Sequence, residues 1–274
     1  GGQMFNNIFD DIGADVIPMY FEPDGDFPNH QPYPVKEENV EELKRKVVSE
    51  NANLGIAYDG DGDRVVFIDE QGKTVEPYYL VAILAKKLIG KKPGGKIVFD
   101  FKLKWAVEDA VKEVAGEPIP ERVGHSFIKA RMREVDAIFG GESSAHYYYK
   151  DAYFADSSMI TTALVLELVA NGNKLSELLA PYHKKYPISG EINYEVEDAE
   201  QTISKVKEHF VSEGHEIDEM DGIAVDVGKD WRFSLRMSNT EPLVRLNIEA
   251  KSQELVGAKV GELESLIGGE RESH

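Results

Sequence analysis

Residues 50–64 (ENANLGIAYDGDGDR) and 133–146 (REVDAIFGGESSAH) share one order: the polar end of a helix, a short apolar run, then a polar loop rich in glycine. A short apolar run punctuated in this way reads as a buried strand. The repeated order predicts two related α/β domains, and ligands of such sheets bind beyond the carboxyl ends of the strands, where both loops fall. Ahead of the first segment the chain reads as a helix over 4–12, a strand over 16–20 after Gly13, a loop, and a helix over 38–50 with Val40, Leu43 and Val47 at helical spacing. Strands follow at 54–58 and 65–69, up to a turn at 70–73. The middle third repeats the grammar with a helix over 78–89, a strand over 96–100, a helix over 105–115 closed by Gly116 and a strand over 137–139. Asp156, Ser157 and Ser158 offer caps to a strongly apolar helix over 159–170, expected in the core. Residues 186–190 read as a hinge. Beyond it come a strand at 191–196, a helix at 199–210 with Ile203, Val206 and Phe210 on one face, three strands and a last helix, which is an α+β module.

Composition removes several classes of function. Fifty acidic residues against thirty-one basic ones give a formal charge of −19, which repels polyanions and argues against a nucleic-acid partner. No apolar run approaches the roughly 20 residues that cross a bilayer, and the N-terminus has no signal pattern, so no membrane association and a cytoplasmic location are expected. With no cysteines, any metal is held by oxygen or imidazole. The chain opens on Gly1 without an initiating methionine and is expected to begin inside a domain.

Three loops carry the chemistry. In 59–64, Asp59, Asp61 and Asp63 stand at alternate positions, with Gly60 and Gly62 allowing the backbone to curl, so the three carboxylates can converge on a hard cation such as Mg2+ or Ca2+. A solvated acidic turn is the bland alternative. An EF-hand loop has acidic residues at the same spacing, and Glu70 even falls at its twelfth position, but Arg64 stands where that loop needs glycine. Residues 61–65 also mimic the Asp-x-Asp signature of haloacid-dehalogenase-type phosphatases, without a downstream acidic pair to complete that site. In 140–146, Glu142 can accept from vicinal sugar hydroxyls and Ser144 can donate or accept, while His146 reads equally as a packed structural histidine. In 236–242, Arg236 offers a two-pronged donor beside Ser238, Asn239 and Thr240, a nest suited to a phosphate dianion, and Arg245 on the next strand adds charge. Lys102 follows the strand at 96–100. His125 has an imidazole, a group that titrates near neutrality and can move a proton to or from a sugar hydroxyl.

Taken in order, DGDGDR, VGHSFIK, GGESSAH and RMSNTEP resemble the α-D-phosphohexomutase superfamily, in particular its phosphomannomutase/phosphoglucomutase branch, over nearly the whole chain. The resemblance implies an α/β fold of two related three-layer α/β domains, the first incomplete, followed by a smaller α+β C-terminal domain. The corresponding boundaries are 1–75, 76–186 and 187–274. It further implies a preceding domain with a phosphorylated serine, and a C-terminal domain that closes over the substrate. By motif, Asp59, Asp61 and Asp63 would hold Mg2+, and Arg64 would face the transferred phosphate. Lys102 and His125 would lie beside the reacting hydroxyl. Glu142, Ser144 and His146 would line the sugar, and Arg236, Ser238, Asn239 and Thr240 would hold the other phosphate. The implied reaction interconverts hexose 1-phosphate and hexose 6-phosphate of glucose or mannose through phosphoserine and a bisphosphorylated sugar, with hexose 1,6-bisphosphate as activator. The partner is thus a small phosphosugar. Ala145 departs from the family's usual glycine. Ser143 and Asn239 stand where phosphoglucosamine mutases typically carry glutamine and glycine, which favours the glucose/mannose branch. Without the phosphoserine segment the chain alone is expected to be inactive, and a non-catalytic sugar-phosphate-binding protein is the alternative of a different class.

Overall fold

The computed structural model describes residues 9, 12–22, 24–170, 172–238 and 243–272. The helix expected over 4–12 falls almost wholly outside them. Residues 16–20 do not form the expected strand: they are irregular, with Val16 and Ile17 exposed. Pro18 brings no donor to a ladder, and among the described residues no strand lies alongside to pair with them.

The first module is small. A 3-10 turn at Glu37–Val40 runs into α1 (Glu41–Glu50), which Asn51 ends in the left-handed conformation at φ 53°. Val40 and Val47 pack with Ile68 and the partly buried Leu43 and Ala57, so the helix lies on the antiparallel hairpin β1 (Gly55–Tyr58) and β2 (Val65–Ile68). Gly55 is required there, because a Cβ would come within 2.7 Å of Val47 Cγ2. Tyr58 pairs with Val65, so residues 59–64 form the loop of the hairpin.

The second module is a three-layer sandwich. Its helices and strands run α2 (Pro77–Lys91), β3 (Lys96–Asp100), α3 (Trp105–Glu113), β4 (Glu117–Glu121), α4 (His125–Val135), β5 (Phe139–Gly141), β6 (Tyr147–Tyr149), β7 (Ala155–Asp156), α5 (Ser158–Val169) and α6 (Leu175–Lys185). The sheet order is β4-β3-β5-β6-β7, parallel across β4, β3 and β5 and antiparallel beyond. Alternation on β3 separates two cores: Ile97 and Phe99 pack with α2 and α3, while Val98 packs with Ile128 and Met132 of α4. The paired glycines of β5 serve this closeness. A Cβ on Gly140 would meet Met132 Sδ at 2.6 Å and one on Gly141 would meet Val81 Cγ2 at 2.5 Å, so both helix layers press on β5.

Several boundaries differ from the sequence reading. The strand expected at 137–139 begins only at Phe139, because Asp136 turns left-handed (φ 57°) and the Ala137 amide still closes α4 on Met132 O. Strand β4 escapes notice because Pro118 and Pro120 alternate within it; the Glu117 amide donates to Gly95 O and Glu121 O accepts from Phe101 N. Ser157 caps α5, accepting from the Ile160 amide. That helix is not a fully buried core element, since Ser158, Thr161, Thr162 and Val165 form its buried stripe while Leu164, Leu166 and Leu168 remain part-exposed.

In the third module β8 (Ile192–Glu195), β9 (Ile223–Val227), β10 (Trp231–Met237), β11 (Leu243–Ala250) and β12 (Glu270–Arg271) form an antiparallel sheet in the order β12-β8-β11-β10-β9. Trp231, Phe233 and Leu235, with Val244, Leu246 and Ile248, pack with α7 (Ala199–Ser212) and α8 (Gln253–Ile267). The alternate residues Arg232, Ser234, Asn247 and Glu249 are also buried. Arg232 donates to Lys102 O at 2.7 Å and Phe101 O at 3.1 Å, and Glu249 accepts from Tyr78 Oη and from the Lys104 amide at 2.7 Å, so this polar face is sealed against the second module. The segment read as a hinge is tied to β11: Ser189 N donates to Ile248 O at 3.0 Å, Ile248 N to Ser189 Oγ at 2.9 Å, and Ala250 N to Pro187 O at 3.0 Å.

Candidate active site

The acidic hairpin loop supplies the first group. Asp59 is 5% exposed; its Oδ1 accepts from the Gly62 and Arg64 amides at 2.9 and 3.1 Å, and its Oδ2 from Arg64 Nε at 2.6 Å. Gly62 takes φ 80°, which only glycine holds without strain. Ligand oxygens of Asp59, Asp61 and Asp63 lie within 4.8 Å of one another. Burial and the neighbouring Asp59 and Asp61 raise the Asp63 carboxyl, whereas Arg64 holds Asp59 low against the opposing effect of its burial. The buried Asp63 Oδ1 has no hydrogen-bond partner. An all-oxygen set carrying an unsatisfied buried carboxylate oxygen fits Mg2+. The Arg64 guanidinium lies 4.7 Å over the ring of Tyr33, a residue that stands in none of the motifs.

The second group packs on the first. His146 Nε2 lies 3.7 Å from Asp63 Oδ1, and His146 Nδ1 meets Ser144 Oγ at 2.9 Å. Burial and the nearby Arg64 charge lower the His146 imidazole to about 4, so it is neutral at physiological pH. Ser158 Oγ at the start of α5 donates to Gly62 O at 2.5 Å, and the Val65 amide to Ala145 O at 3.4 Å, clasping the two loops together. Ala145 itself is buried at φ 68°, in the region glycine favours. Glu142 is 2% exposed; its Oε1 accepts from the Gly124 amide at 2.9 Å and its Oε2 from Tyr148 Oη. Glu142 thereby fixes the turn that opens α4, whose first residue, His125, is exposed. Asp100, closing β3, accepts from Ser143 N and Oγ at 2.5 and 2.8 Å.

The third group faces it from the C-terminal module. Arg236 lies directly opposite Arg245 in the β10–β11 register, on the polar face of the sheet. Arg245 Nη2 reaches Ser238 Oγ at 3.4 Å. Asn239 and Thr240 lie outside the described residues. Lys102, 5% exposed, donates to Glu191 Oε2 at 3.1 Å. Burial disfavours the Lys102 charge, but Glu191 and Asp100 outweigh it and raise its pKa. Glu191, like Asp100, was not singled out in the sequence, where nothing distinguishes it from the other glutamates. The acidic loop and the 140–146 loop thus meet at the carboxyl end of β3, where Asp100 and then Lys102 lead on to the basic cluster.

Comparison with known proteins agrees with this fold. Residues 76–186 match the model for phosphoglucomutase/phosphomannomutase alpha/beta/alpha domain III, residues 1–72 that for alpha/beta/alpha domain II, and residues 191–263 that for the C-terminal domain. The chain belongs to the phosphoglucomutase/phosphomannomutase family. It is 42% identical over 257 residues to the phosphohexose mutases protein of Xanthomonas campestris pv. campestris strain B100, covering 93% of this chain and 57% of that protein. It is 44% identical over 246 residues to phosphomannomutase of Escherichia coli K12, covering 89% and 54%. Among solved structures, a phosphoglucomutase/phosphomannomutase family protein of Burkholderia thailandensis superposes with a TM-score of 0.85 at 29% identity, covering 98% of this chain and 59% of that one. The chain therefore spans little more than half the length of these relatives. Among the described residues no helix is long and apolar enough to cross a membrane.

Proposed function

We propose that the chain is the metal-binding, sugar-reading and phosphate-clamping part of a phosphohexomutase, divided at 1–75, 76–186 and 187–274, that interconverts hexose 1-phosphate and hexose 6-phosphate of glucose or mannose in the cytoplasm. The observation that carries this reading is the meeting, at the carboxyl end of β3, of an oxygen-ligand loop, a sugar-facing loop and a cluster of cations. In the intact enzyme a serine phosphate donates its phosphoryl group: the serine P–O bond breaks as a P–O bond forms to a sugar hydroxyl, whose proton passes to His125. The bisphosphorylated sugar then turns, and its other phosphate returns to serine. Asp59, Asp61 and Asp63 hold Mg2+, which when bound supplies positive charge beside the transferring group. Arg64 adds charge on the same side, and Lys102 stays cationic to stabilise the substrate. Glu142, Ser144 and the neutral His146 orient sugar hydroxyls, while Arg236 and Ser238, with Asn239 and Thr240, retain the phosphate that is not moving. The serine loop lies in a segment preceding this chain, so the chain alone has no turnover.

Calorimetric titration with glucose 1-phosphate, glucose 6-phosphate and inorganic phosphate tests the assignment. Arg236→Ala is expected to weaken all three by about tenfold to a hundredfold, the worth of a charged hydrogen bond. Glu142→Gln is expected to weaken the two sugar phosphates and spare inorganic phosphate. If both variants changed all three ligands alike, the division between sugar loop and phosphate clamp would be wrong.

A further inference from the structure

The basic cluster holds a carboxylate that no part of the proposed reaction uses. Arg236 and Arg245 are direct cross-strand neighbours, an arrangement that like charges disfavour unless an anion lies between or beside them. Lys102 brings a third positive charge from the second module. Against these three stands Glu191, the residue after Gly190 (φ 70°) and just ahead of β8: its Oε2 accepts from Lys102 Nζ at 3.1 Å and its Oε1 from Arg245 Nη1 at 3.4 Å. Arg236 is 8% exposed and its buried Nε has no hydrogen-bond partner. One planar carboxylate thus bridges two of the cations and leaves a buried donor of the third unfilled.

We propose that Glu191 is an internal counter-ion of the phosphate clamp, occupying it in the unliganded chain and displaced by a dianionic phosphomonoester. The inference rests on the clamp reading of Arg236. A tetrahedral dianion carries enough oxygens and charge to engage all three cations, which a carboxylate does not. The Glu191 side chain keeps 30% exposure against 6% for Lys102, so the carboxylate can swing into water while the lysine cannot. Because binding begins by removing a competitor, singly charged anions gain little from the exchange. Glu191 therefore raises the threshold that any anion must pass, and a dianion on three cations passes it where a singly charged diester is left with little net affinity. Burial opposes its ionisation, but Lys102, Arg236 and Arg245 hold its carboxyl down to about 2, which agrees with a permanently charged competitor.

The test is calorimetry on the full chain with inorganic phosphate and with dimethyl phosphate, joined to a crystal structure grown with phosphate. Glu191→Gln is expected to bind phosphate about tenfold more tightly, equivalent to 1.4 kcal/mol of competition removed, and dimethyl phosphate more tightly by a similar factor. Glu191→Asp, one methylene shorter, falls between the two proteins and serves if the glutamine variant does not fold. In the phosphate complex the Lys102 to Glu191 contact opens beyond hydrogen-bond distance. Unchanged or weaker phosphate binding by Glu191→Gln, or an intact Lys102 to Glu191 bond beside bound phosphate, overturns the proposal. Unaltered phosphate binding by Arg236→Ala removes the clamp reading itself, and the proposal with it. Weakened binding by Arg236→Ala without a gain in Glu191→Gln removes the counter-ion role alone.

Discussion

Arg232→Met is expected to be among the most damaging single substitutions in the chain. Arg232 is 1% exposed and Glu249 is fully buried, with Arg232 Nη1 at 3.2 Å from Glu249 Oε2. Removing the arginine strands the Glu249 charge among Tyr78 Oη and the Lys104 and Trp105 amides, and takes a donor from Phe101 O and Lys102 O. Breaking one partner of a buried pair costs about 3 to 5 kcal/mol. Lys102 O keeps the Ser234 hydroxyl at 3.2 Å, so the lower half of that range is the better expectation. Glu249→Gln on its own keeps an acceptor for the amides and the phenol, and leaves Arg232 only the half-exposed Asp226 carboxylate, 3.3 Å from its Nε, as counter-charge. Placed on top of Arg232→Met, it removes the stranded charge, so the double variant is expected to be more stable than Arg232→Met by about 1 to 2 kcal/mol. Urea unfolding of the four proteins closes the cycle. Its probes are already in place, because the two tryptophans, Trp105 on α3 and Trp231 on β10, sit one in the second module and one in the third. In the wild type both should report one transition, and in Arg232→Met two. A loss under about 1 kcal/mol, or a double variant less stable than Arg232→Met, would show that the pair is not what seals the modules together.

Three further outcomes are expected. Calorimetry should show Mg2+ binding to the wild type and at least about tenfold weaker binding to Asp61→Asn; equal binding would remove the metal assignment. Ala145→Gly should raise stability by about 0.5 to 1 kcal/mol in urea, because the methyl group is held at φ 68°; a lower urea midpoint would show that its packing outweighs the strain. The Glu191 carboxyl, held at about 2 against an ordinary 4.5, contributes stability that is complete above the unfolded value and lost as the pH falls toward the folded one. The gap in melting temperature between wild type and Glu191→Gln should therefore close as the pH drops from about 5 to about 2, and a constant gap would refute the ion pairing.

Local patterns were legible in the sequence where neighbours along the chain decide them. The strand at 96–100 and the acidic hairpin loop were read to the residue, because an apolar run between glycines and carboxylates has few other outcomes. Strand β4 was hidden by its prolines, and β6 by its shortness, three consecutive tyrosines with no alternation of apolar and polar positions to mark a strand. Helix α4 begins at His125 itself, inside a motif that drew notice for its chemistry and not for its period. Interface residues were out of reach for a different reason. Glu191 takes its role from Lys102 and Arg245, 89 and 54 residues away, and Glu249 from Tyr78, 171 away. No window along the chain contains those partners, whereas the alternation on β10 and β11 is local but does not say whether its polar face meets water or, as here, the second module.

The prolines of β4 have a consequence for how copies of this chain meet one another. The Glu117 amide points inward to Gly95 O, and by the alternation of a strand the amides of residues 118 and 120 would point outward, to the unpaired side of the outermost strand. Both positions are proline, so that rim presents carbonyls but lacks two of the donors that an incoming strand must find. The second module therefore ends its parallel sheet in a margin that cannot template another chain, and crowding or partial opening of the molecule does not turn this side of it into a seed for aggregation.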